Sequence, residues 1–174
     1  IYILQALWER GMLAPEMRGL GFGVGREPLT AVMAAHGCEV MATDLEAEAQ
    51  TIADWTETAQ HSATLEDLNE RGICDSSAFA KQVKFAPVNM NDIPSDLRGF
   101  DYCWSACCFE HLGSIKAGLA FYKNSLETLK PGGFAIHTTE INLSSNEHTL
   151  DNDGTVLFRK KDLEELIADL TAQG

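Results

Sequence analysis

Three alternating glycines form the most informative local pattern in the chain, the segment GFGVG at residues 21–25. Glycine tolerates positive φ and lets a ligand approach the backbone closely. The helix predicted to follow presents unpaired N–H groups and a partial positive charge at its N-terminus. Asp44 follows about 20 residues later, after the next predicted strand, where a carboxylate can hydrogen-bond ribose hydroxyls. The pattern favours a nucleotide-like ligand, and the alternative is a tight turn beside a solvated Asp44.

Polar side chains follow the predicted fourth and fifth strands, where a doubly wound sheet binds its substrate. His111 is a candidate base or substrate anchor, because imidazole accepts a proton near neutral pH. The alternative for His111 is a structural histidine that caps the following helix. Glu140, past the fifth strand, is a candidate to hold an amine or a hydroxyl group. His137 lies within that strand and is predicted to belong to the core.

Two other kinds of chemistry find less support in the sequence. Four residues that could ligate a divalent metal, Glu110, His111, Glu140 and His148, lack the close spacing of a metal site, so we predict none. The five cysteines, an odd number without a CxxC pair, are predicted to be buried free thiols in a reducing cytosol. No base is identifiable in the sequence that would activate the adjacent Cys107 and Cys108 as nucleophiles.

The elements that must position these residues alternate along the chain. Apolar stretches predict strands at 17–22, 39–43, 83–88, 100–105 and 134–139. Helices are predicted at 1–13, 28–36, 45–55, 112–129 and 162–172, with shorter helical pieces within 56–82 that start near Thr64 and Asp75. Short apolar strands separated by helices are typical of a parallel sheet covered by helices on both faces.

The connection at 56–82 is longer than usual for a link between a helix and a strand. Trp55, just before this connection, and His61 and Phe79 within it are expected either to form a lid over the substrate or to belong to an added helix layer. The loop at 142–149, rich in Asn and Ser, is expected to form a second wall at the same end of the sheet.

The composition sets further bounds. The chain has 174 residues, of which 45% are hydrophobic and 22% are charged, as in one globular domain, so we predict a single domain over 1–174. A net charge of −13 repels phosphate backbones, and we expect no nucleic-acid partner. No apolar run approaches the ~20 residues of a membrane span, and we expect a cytoplasmic protein. Because the first residue is Ile1 and not Met, we expect a longer native protein.

Five segments together resemble the class I S-adenosylmethionine-dependent methyltransferases, and the resemblance extends over nearly the whole chain. They are LGFGVGREP at the glycine loop, Asp44, NMNDIP with Asn89 ahead of Pro94, FDYCWSACCFEHL at the fourth strand and LKPGGFAIHTTE at the fifth. The dinucleotide fingerprint G-x-G-x-x-G/A fits less well, because Arg26 stands at its sixth position, where a small residue is needed. A nicotinamide-dependent oxidoreductase is therefore only a third hypothesis.

The resemblance implies S-adenosylmethionine as the cofactor. The methionine part would lie along the glycine loop and Ser105, the ribose on Asp44, and the adenine beside Leu45. The implied cofactor-binding residues are Gly21, Phe22, Gly23, Gly25, Asp44, Leu45, Asn89, Met90 and Ser105. Two residues depart from the family pattern: Gly19 replaces an acid that contacts the methionine amine, and Asn89 replaces an aspartate.

The fold implied by the resemblance is α/β, a doubly wound, mainly parallel Rossmann-like sheet flanked by helices. The family adds a final antiparallel strand pair, which we expect to be missing because the chain stops where the sixth strand usually begins. The fifth strand would then be a sheet edge, open to a homo-oligomer contact or to a continuation of the chain. The implied function is transfer of a methyl group to an oxygen or nitrogen of a small-molecule acceptor. The alternative is a non-catalytic module that binds S-adenosylmethionine or S-adenosylhomocysteine, which Gly19 favours.

Overall fold

A computed structural model describes residues 1–45, 65–152 and 154–173. The helix predicted at 45–55 and two of the expected lid residues, Trp55 and His61, lie outside the described residues. Phe79, the third, is buried in a core cluster with Met33, so its expected place in a lid is wrong.

Five parallel strands form one sheet. They are β1 (Arg18–Phe22), β2 (Glu39–Asp44), β3 (Val83–Pro87), β4 (Phe100–Ala106) and β5 (Leu129–Thr138). The strand order is β3-β2-β1-β4-β5, so the direction of winding reverses between β1 and β4. In such a sheet the ligand crevice lies outside the carboxyl ends of the strands at this switch point. The predicted doubly wound parallel fold is confirmed.

Helices cover both faces of the sheet. They are α1 (Tyr2–Glu9), α2 (Leu29–Ala35), α3 (Ser76–Gln82), α4 (Ile115–Leu126) and α5 (Lys160–Gln173), with 3-10 turns at Glu66–Asn69 and Phe109–His111. The start predicted at Asp75 is confirmed, since its carboxylate accepts hydrogen bonds from the N–H groups of Ser77 and Ala78. Among the described residues no helix is long and apolar enough to cross a membrane.

Alternation along the strands produces two core clusters, one on each face. The first contains residues of α1, α2 and α3 together with Tyr102 and Trp104 of β4. The second contains Leu20, Phe22 and Cys103 of the sheet and residues of α4, and α5 packs against it through Leu163. The sheet is therefore buried on both faces, as expected for parallel strands.

The fifth strand begins earlier than the sequence predicts. The segment KPGG, predicted to stop a helix, instead lies within β5, and α4 ends at Leu126. The pairing of β4 with β5 is irregular there: Phe100 pairs with Leu129 and Tyr102 with Phe134, so KPGG lies in a bulge of β5. The first helix is also shorter than the predicted 1–13, since it ends at Glu9, and Trp8 in it is 64% exposed.

Within the described residues β5 pairs with β4 alone, which confirms the predicted sheet edge. The chain then forms a separate parallel pair, β6 (Ile141–Asn142) with β7 (Phe158–Arg159). Between them the polar loop folds on itself, with Leu157 N–H donating to Leu150 O at 3.0 Å. Val156 and Phe158 are fully buried in the second core cluster, so this loop is anchored beside the end of β4.

Candidate functional site

The glycine loop joins β1 to α2 in a conformation that requires glycine. Gly23 has φ +55° and Gly25 φ +50°, both in the left-handed region. A Cβ at Gly23 would lie only 3.0 Å from Cys108 Sγ, so the loop lies close against the segment after β4. The hydroxyl of Thr43 donates to Gly21 O at 2.7 Å, and Val24 N–H donates to Thr43 O at 3.1 Å. The loop is thereby fixed to the end of β2.

Gly21 and Gly19 are glycines for a different reason. A Cβ at Gly21 would lie 2.4 Å from the Trp104 ring, and one at Gly19 would lie 2.4 Å from the Tyr102 ring. The position where the family has an acid is therefore backed by an aromatic ring, and a carboxylate there would require Tyr102 to move. Both close approaches follow from the parallel register, which pairs Gly19 with Tyr102 and Gly21 with Trp104.

Asp44 lies at the carboxyl end of β2 and touches the loop directly. One carboxylate oxygen accepts a hydrogen bond from Gly25 N–H at 3.1 Å, and the other accepts from Leu45 N–H at 2.8 Å. Hydrogen bonds to an ionised carboxylate are among the stronger ones in proteins. The acid that the resemblance assigns to the ribose is only 9% exposed and is held at the mouth of the glycine loop.

The segment after β3 reaches the same edge. Val88 N–H donates to Asp44 O at 2.8 Å, which sets the following residues beside the end of β2. Asn89 is exposed, and its side-chain oxygen accepts from Asn91 N–H at 2.9 Å. Met90 is buried, with its sulfur 3.4 Å from a Cβ placed at Gly23. The structure thus brings Asp44, Asn89 and Met90 together around the glycine loop.

Ser105 differs from the other implied cofactor residues. It is fully buried at the end of β4, and its hydroxyl lies 2.7 Å from His137 Nδ1 of β5. Its side chain therefore belongs to the second core cluster and is already engaged there. His137 is surrounded by the rings of Phe109, Phe121 and Tyr122, which confirms its predicted place in the core.

His111 does not cap the helix that follows it. The N-terminus of α4 is capped by Ser114, which accepts from Ala117 N–H, and by Asp151, which accepts from Ile115 N–H at 2.9 Å. The capping alternative is therefore wrong. His111 Nδ1 instead lies 3.0 Å from Gly154 O and 2.8 Å from the Thr155 hydroxyl, so the ring connects β4's end to the polar loop.

Two carboxylates lie near His111 at the ends of β4 and β5. Glu110 is 1% exposed; one oxygen accepts from the Thr139 hydroxyl at 3.1 Å, and the other has no hydrogen-bond partner among the described residues. Burial raises the pKa of Glu110, and the neighbouring Glu140 raises it further. Glu140 itself is exposed. From the sequence, Glu110 is considered only as a metal ligand. Its position directly after Phe109, in an otherwise apolar stretch, is the signal that could have indicated its burial.

The cysteines mostly follow the prediction of buried free thiols. Cys38, Cys74, Cys103 and Cys108 are buried and unpaired with one another, and burial raises the pKa of Cys103 to about 12. Cys107 is the exception, since it is exposed just past β4 with φ +48°. Within the described part of the chain, no three His, Cys, Asp or Glu residues cluster as metal ligands would.

A family model described as a methyltransferase domain matches residues 20–137, which is more than half of the chain. The chain belongs to this methyltransferase family. The match begins in β1 and ends in β5, so it contains the glycine loop, Asp44, the segment after β3 and His111. No curated protein matches the chain.

Solved methyltransferase structures share the fold. The CcbJ methyltransferase from Streptomyces caelestis matches with a TM-score of 0.54 and 18% identity, over 76% of this chain and 47% of that one. A complex of DhpI with S-adenosylhomocysteine (SAH) matches with a TM-score of 0.61 and 17% identity, over 97% and 74%. Phosphoethanolamine N-methyltransferase 2 of Haemonchus contortus, with bound S-adenosyl-L-methionine, matches with a TM-score of 0.62 and 20% identity, over 95% of this chain and 35% of that one. The chain thus spans about half the length of the first of these methyltransferases.

The family predicted from the sequence, that of the S-adenosylmethionine-dependent methyltransferases, is confirmed. S-adenosylmethionine, the predicted cofactor, is confirmed as the cofactor of this family. The roles of single residues in this methyltransferase domain remain predictions.

Proposed function

We propose that this chain binds S-adenosylmethionine and transfers its methyl group to an oxygen or nitrogen of a small-molecule acceptor. One observation carries the proposal: the Asp44 carboxylate lies at the end of β2, hydrogen-bonded to the N–H of Gly25 in the glycine loop. A carboxylate at this position, next to a loop without side chains, suits the two hydroxyls of a ribose.

The residues present fit the cofactor at the carboxyl edge of β1 and β2. Gly23 leaves open the space beside the loop backbone that a Cβ would occupy, and both Gly23 and Gly25 have left-handed φ. Asp44 would hold the ribose, and Leu45, Asn89 and Met90 would line the adenine side. Gly21 and Phe22 would line the methionine side, with Ser105 contributing through its backbone, because its hydroxyl is engaged by His137.

S-adenosylmethionine, when bound, supplies an already activated methyl group on a sulfonium, so the protein's task is alignment and proton removal. We assign proton removal to His111. Its Nδ1 lies within hydrogen-bond distance of the Gly154 carbonyl and of the Thr155 hydroxyl, and in the tautomer in which Nδ1 donates to Gly154 O the lone pair is on Nε2. Nε2 would accept the proton that the acceptor hydroxyl or amine loses. Glu140, exposed at the end of β5, would hold the polar group of the acceptor.

The acceptor class follows from charge and from the relatives. A chain with a net charge of −13 disfavours a nucleic-acid acceptor. Among the relatives of similar fold, one is named for phosphoethanolamine and another for a glycopeptide, both as N-methyltransferases. A small amine or alcohol is the acceptor class that we propose for this chain.

Calorimetric titration with SAH and, separately, with NAD tests the cofactor. We expect SAH to bind and NAD not to bind. A methyl-transfer assay on ethanolamine and other small amines and alcohols then tests activity. Binding of NAD in place of SAH would overturn the proposal in favour of the oxidoreductase.

A non-catalytic module that binds the cofactor is the second candidate, and one observation favours it. The position of the family's acid is occupied by Gly19 backed by the Tyr102 ring, so no carboxylate is available there for the methionine amine. Tight SAH binding with no methyl transfer to any compound of the panel would support this candidate.

A further inference from the structure

A buried chain of polar side chains runs from α4 through the sheet to the glycine loop. Ser125 of α4, His137 of β5 and Ser105 of β4 are in hydrogen-bond contact in sequence, at 3.1 Å for Ser125 and 2.7 Å for Ser105. Ser105 pairs with Phe22 in the register of β1 and β4, and the Cys108 thiol donates to Phe22 O at 3.5 Å. Phe22 directly precedes Gly23, so the polar chain ends on the loop proposed to bind the cofactor.

The hydrogen-bond partners determine which imidazole nitrogen carries the hydrogen. The Ser125 hydroxyl donates its only hydrogen to Tyr122 O at 2.7 Å, so towards His137 it must accept. Nε2 of His137 therefore carries the hydrogen. Nδ1 is then an acceptor, and the Ser105 hydroxyl must donate to it. Cys103 Sγ, at 3.9 Å from Nε2, is a weaker neighbour.

The surroundings hold the ring in this neutral form. Phe109, Phe121 and Tyr122 approach it edge-on, with ring centroids at 6.1, 5.3 and 4.9 Å. Burial lowers the pKa of His137 to about 3, so the ring keeps a lone pair for Ser105 throughout the physiological range.

We propose that His137 is a positioning residue: as the Nε2–H tautomer it fixes the Ser105 hydroxyl, and through Ser105, which pairs with Phe22 across β1 and β4, it fixes the start of the glycine loop. The inference rests on the proposed function only in that the loop binds the cofactor. The loop has little freedom to compensate, because Gly23 lies against Cys108. A shift of Ser105 would therefore reach the loop through its partner Phe22.

Two matched substitutions separate this role from simple packing. His137→Asn places an acceptor near the position of Nδ1, so it keeps the hydrogen bond from Ser105 but loses the one to Ser125. His137→Gln reaches Ser125 and loses the hydrogen bond from Ser105. Positioning predicts that the smaller asparagine preserves SAH affinity within about threefold, whereas glutamine weakens it about tenfold. Packing alone predicts the reverse order, because asparagine leaves the larger cavity.

A second pair uses serines of the same helix. Ser125→Ala removes the acceptor of Nε2–H, and Ser114→Ala removes the cap of α4 without touching the polar chain. Both should lower stability. Only Ser125→Ala should move the backbone amide NMR signals of Phe22, Gly23 and Gly25 in the ligand-free protein.

Nitrogen-15 NMR of the wild-type ring tests the tautomer directly, and an unprotonated Nδ1 is expected at neutral pH. A protonated Nδ1, or equal effects within each pair on loop signals and affinity, would overturn the inference. Wild-type protein that binds no SAH, while the Nδ1 and loop signals follow the expectation, would refute the proposed function and leave the positioning role supported.

Discussion

At the scale of single residues, Asp44 is the side chain on which cofactor binding most depends. Its carboxylate is 9% exposed, touches the glycine loop and faces the position proposed for the ribose. We expect Asp44→Ala to weaken SAH binding by about 1–3 kcal/mol, the loss of charge-assisted hydrogen bonds. Titration calorimetry measures this. Asp92→Ala, which removes a charge from the loop after β3, is the matched control. Equal SAH affinities for the two variants would show that Asp44 is not part of the site.

His111 gives a kinetic prediction. If Nε2 accepts the proton of the acceptor, His111→Ala should lower kcat by about 10²–10⁴-fold while SAH affinity stays nearly unchanged. Thr155→Val keeps the imidazole but removes the hydroxyl that contacts it, and it should cause a smaller loss. Turnover at the wild-type level in a folded His111→Ala variant would show that His111 is not the base.

Glu110 predicts a pH dependence of stability. Burial raises its pKa above the ordinary 4.5, so the folded state binds this proton more tightly than the unfolded state does. Its contribution to stability is therefore complete below pH 4.5 and is lost as the pH rises through the folded pKa. Glu110→Gln keeps an acceptor for Thr139 but cannot ionise, so its free energy of unfolding should change less over that interval. Urea unfolding at several pH values measures the difference, and parallel curves would contradict it.

At the scale of elements, the ion pair between Arg159 and Asp162 links the polar loop to α5. Arg159 at β7 donates to Asp162 through its backbone N–H and its guanidinium, at distances of 2.7–2.8 Å. Asp162 is 5% exposed, and Arg159 also donates to Glu147 O in the loop. The ion pair therefore joins β7, the start of α5 and the polar loop.

Asp162→Asn should accordingly lower the free energy of unfolding by about 1–3 kcal/mol, because charge-assisted bonds in a buried setting are lost. Asp169→Asn breaks an exposed pair with Lys123 and should cost well under 1 kcal/mol. The Arg159 guanidinium lowers the pKa of Asp162, so its stabilisation is lost only as the pH falls below 3.8. Equal midpoints in urea for the two variants would contradict the special role of Asp162.

The sequence predicts elements whose signals are local. The five strands, the cap at Asp75 and the glycine loop follow from short-range pattern and are found within a few residues of their predicted bounds. Sequence-based prediction fails where pairing between distant strands determines the local structure. KPGG has the composition of a turn, yet it forms a bulge within β5, between the residues that pair with Phe100 and Tyr102 of β4. The packing of Gly19 against Tyr102, and the engagement of Ser105 by His137, arise from strand register, which no local pattern reveals.

At the scale of the whole molecule, the strand order collects the proposed chemistry at one edge of the sheet. The cofactor residues follow β1, β2 and β3, and the polar residues proposed for the acceptor follow β4 and β5. The reversal of winding between β1 and β4 separates these two groups and opens the crevice between them. The candidate site is therefore a consequence of topology, and each residue's role depends on the strand that it follows.

The same topology leaves β5 as an edge strand, and this yields a prediction of self-association. Lys130 and Pro131 lie in its first half and oppose pairing, whereas Phe134, Ala135 and Ile136 carry neither a charge nor a proline. We expect the 174-residue chain to form a dimer at high concentration by pairing along residues 134–138. Sedimentation velocity at low and high concentration tests the dimer, and hydrogen exchange locates it. Amides of β5 should gain protection with concentration, while those of β3, the opposite edge with Lys84 and Pro87, should not. A monomer at every concentration, or equal changes at both edges, would refute pairing through β5.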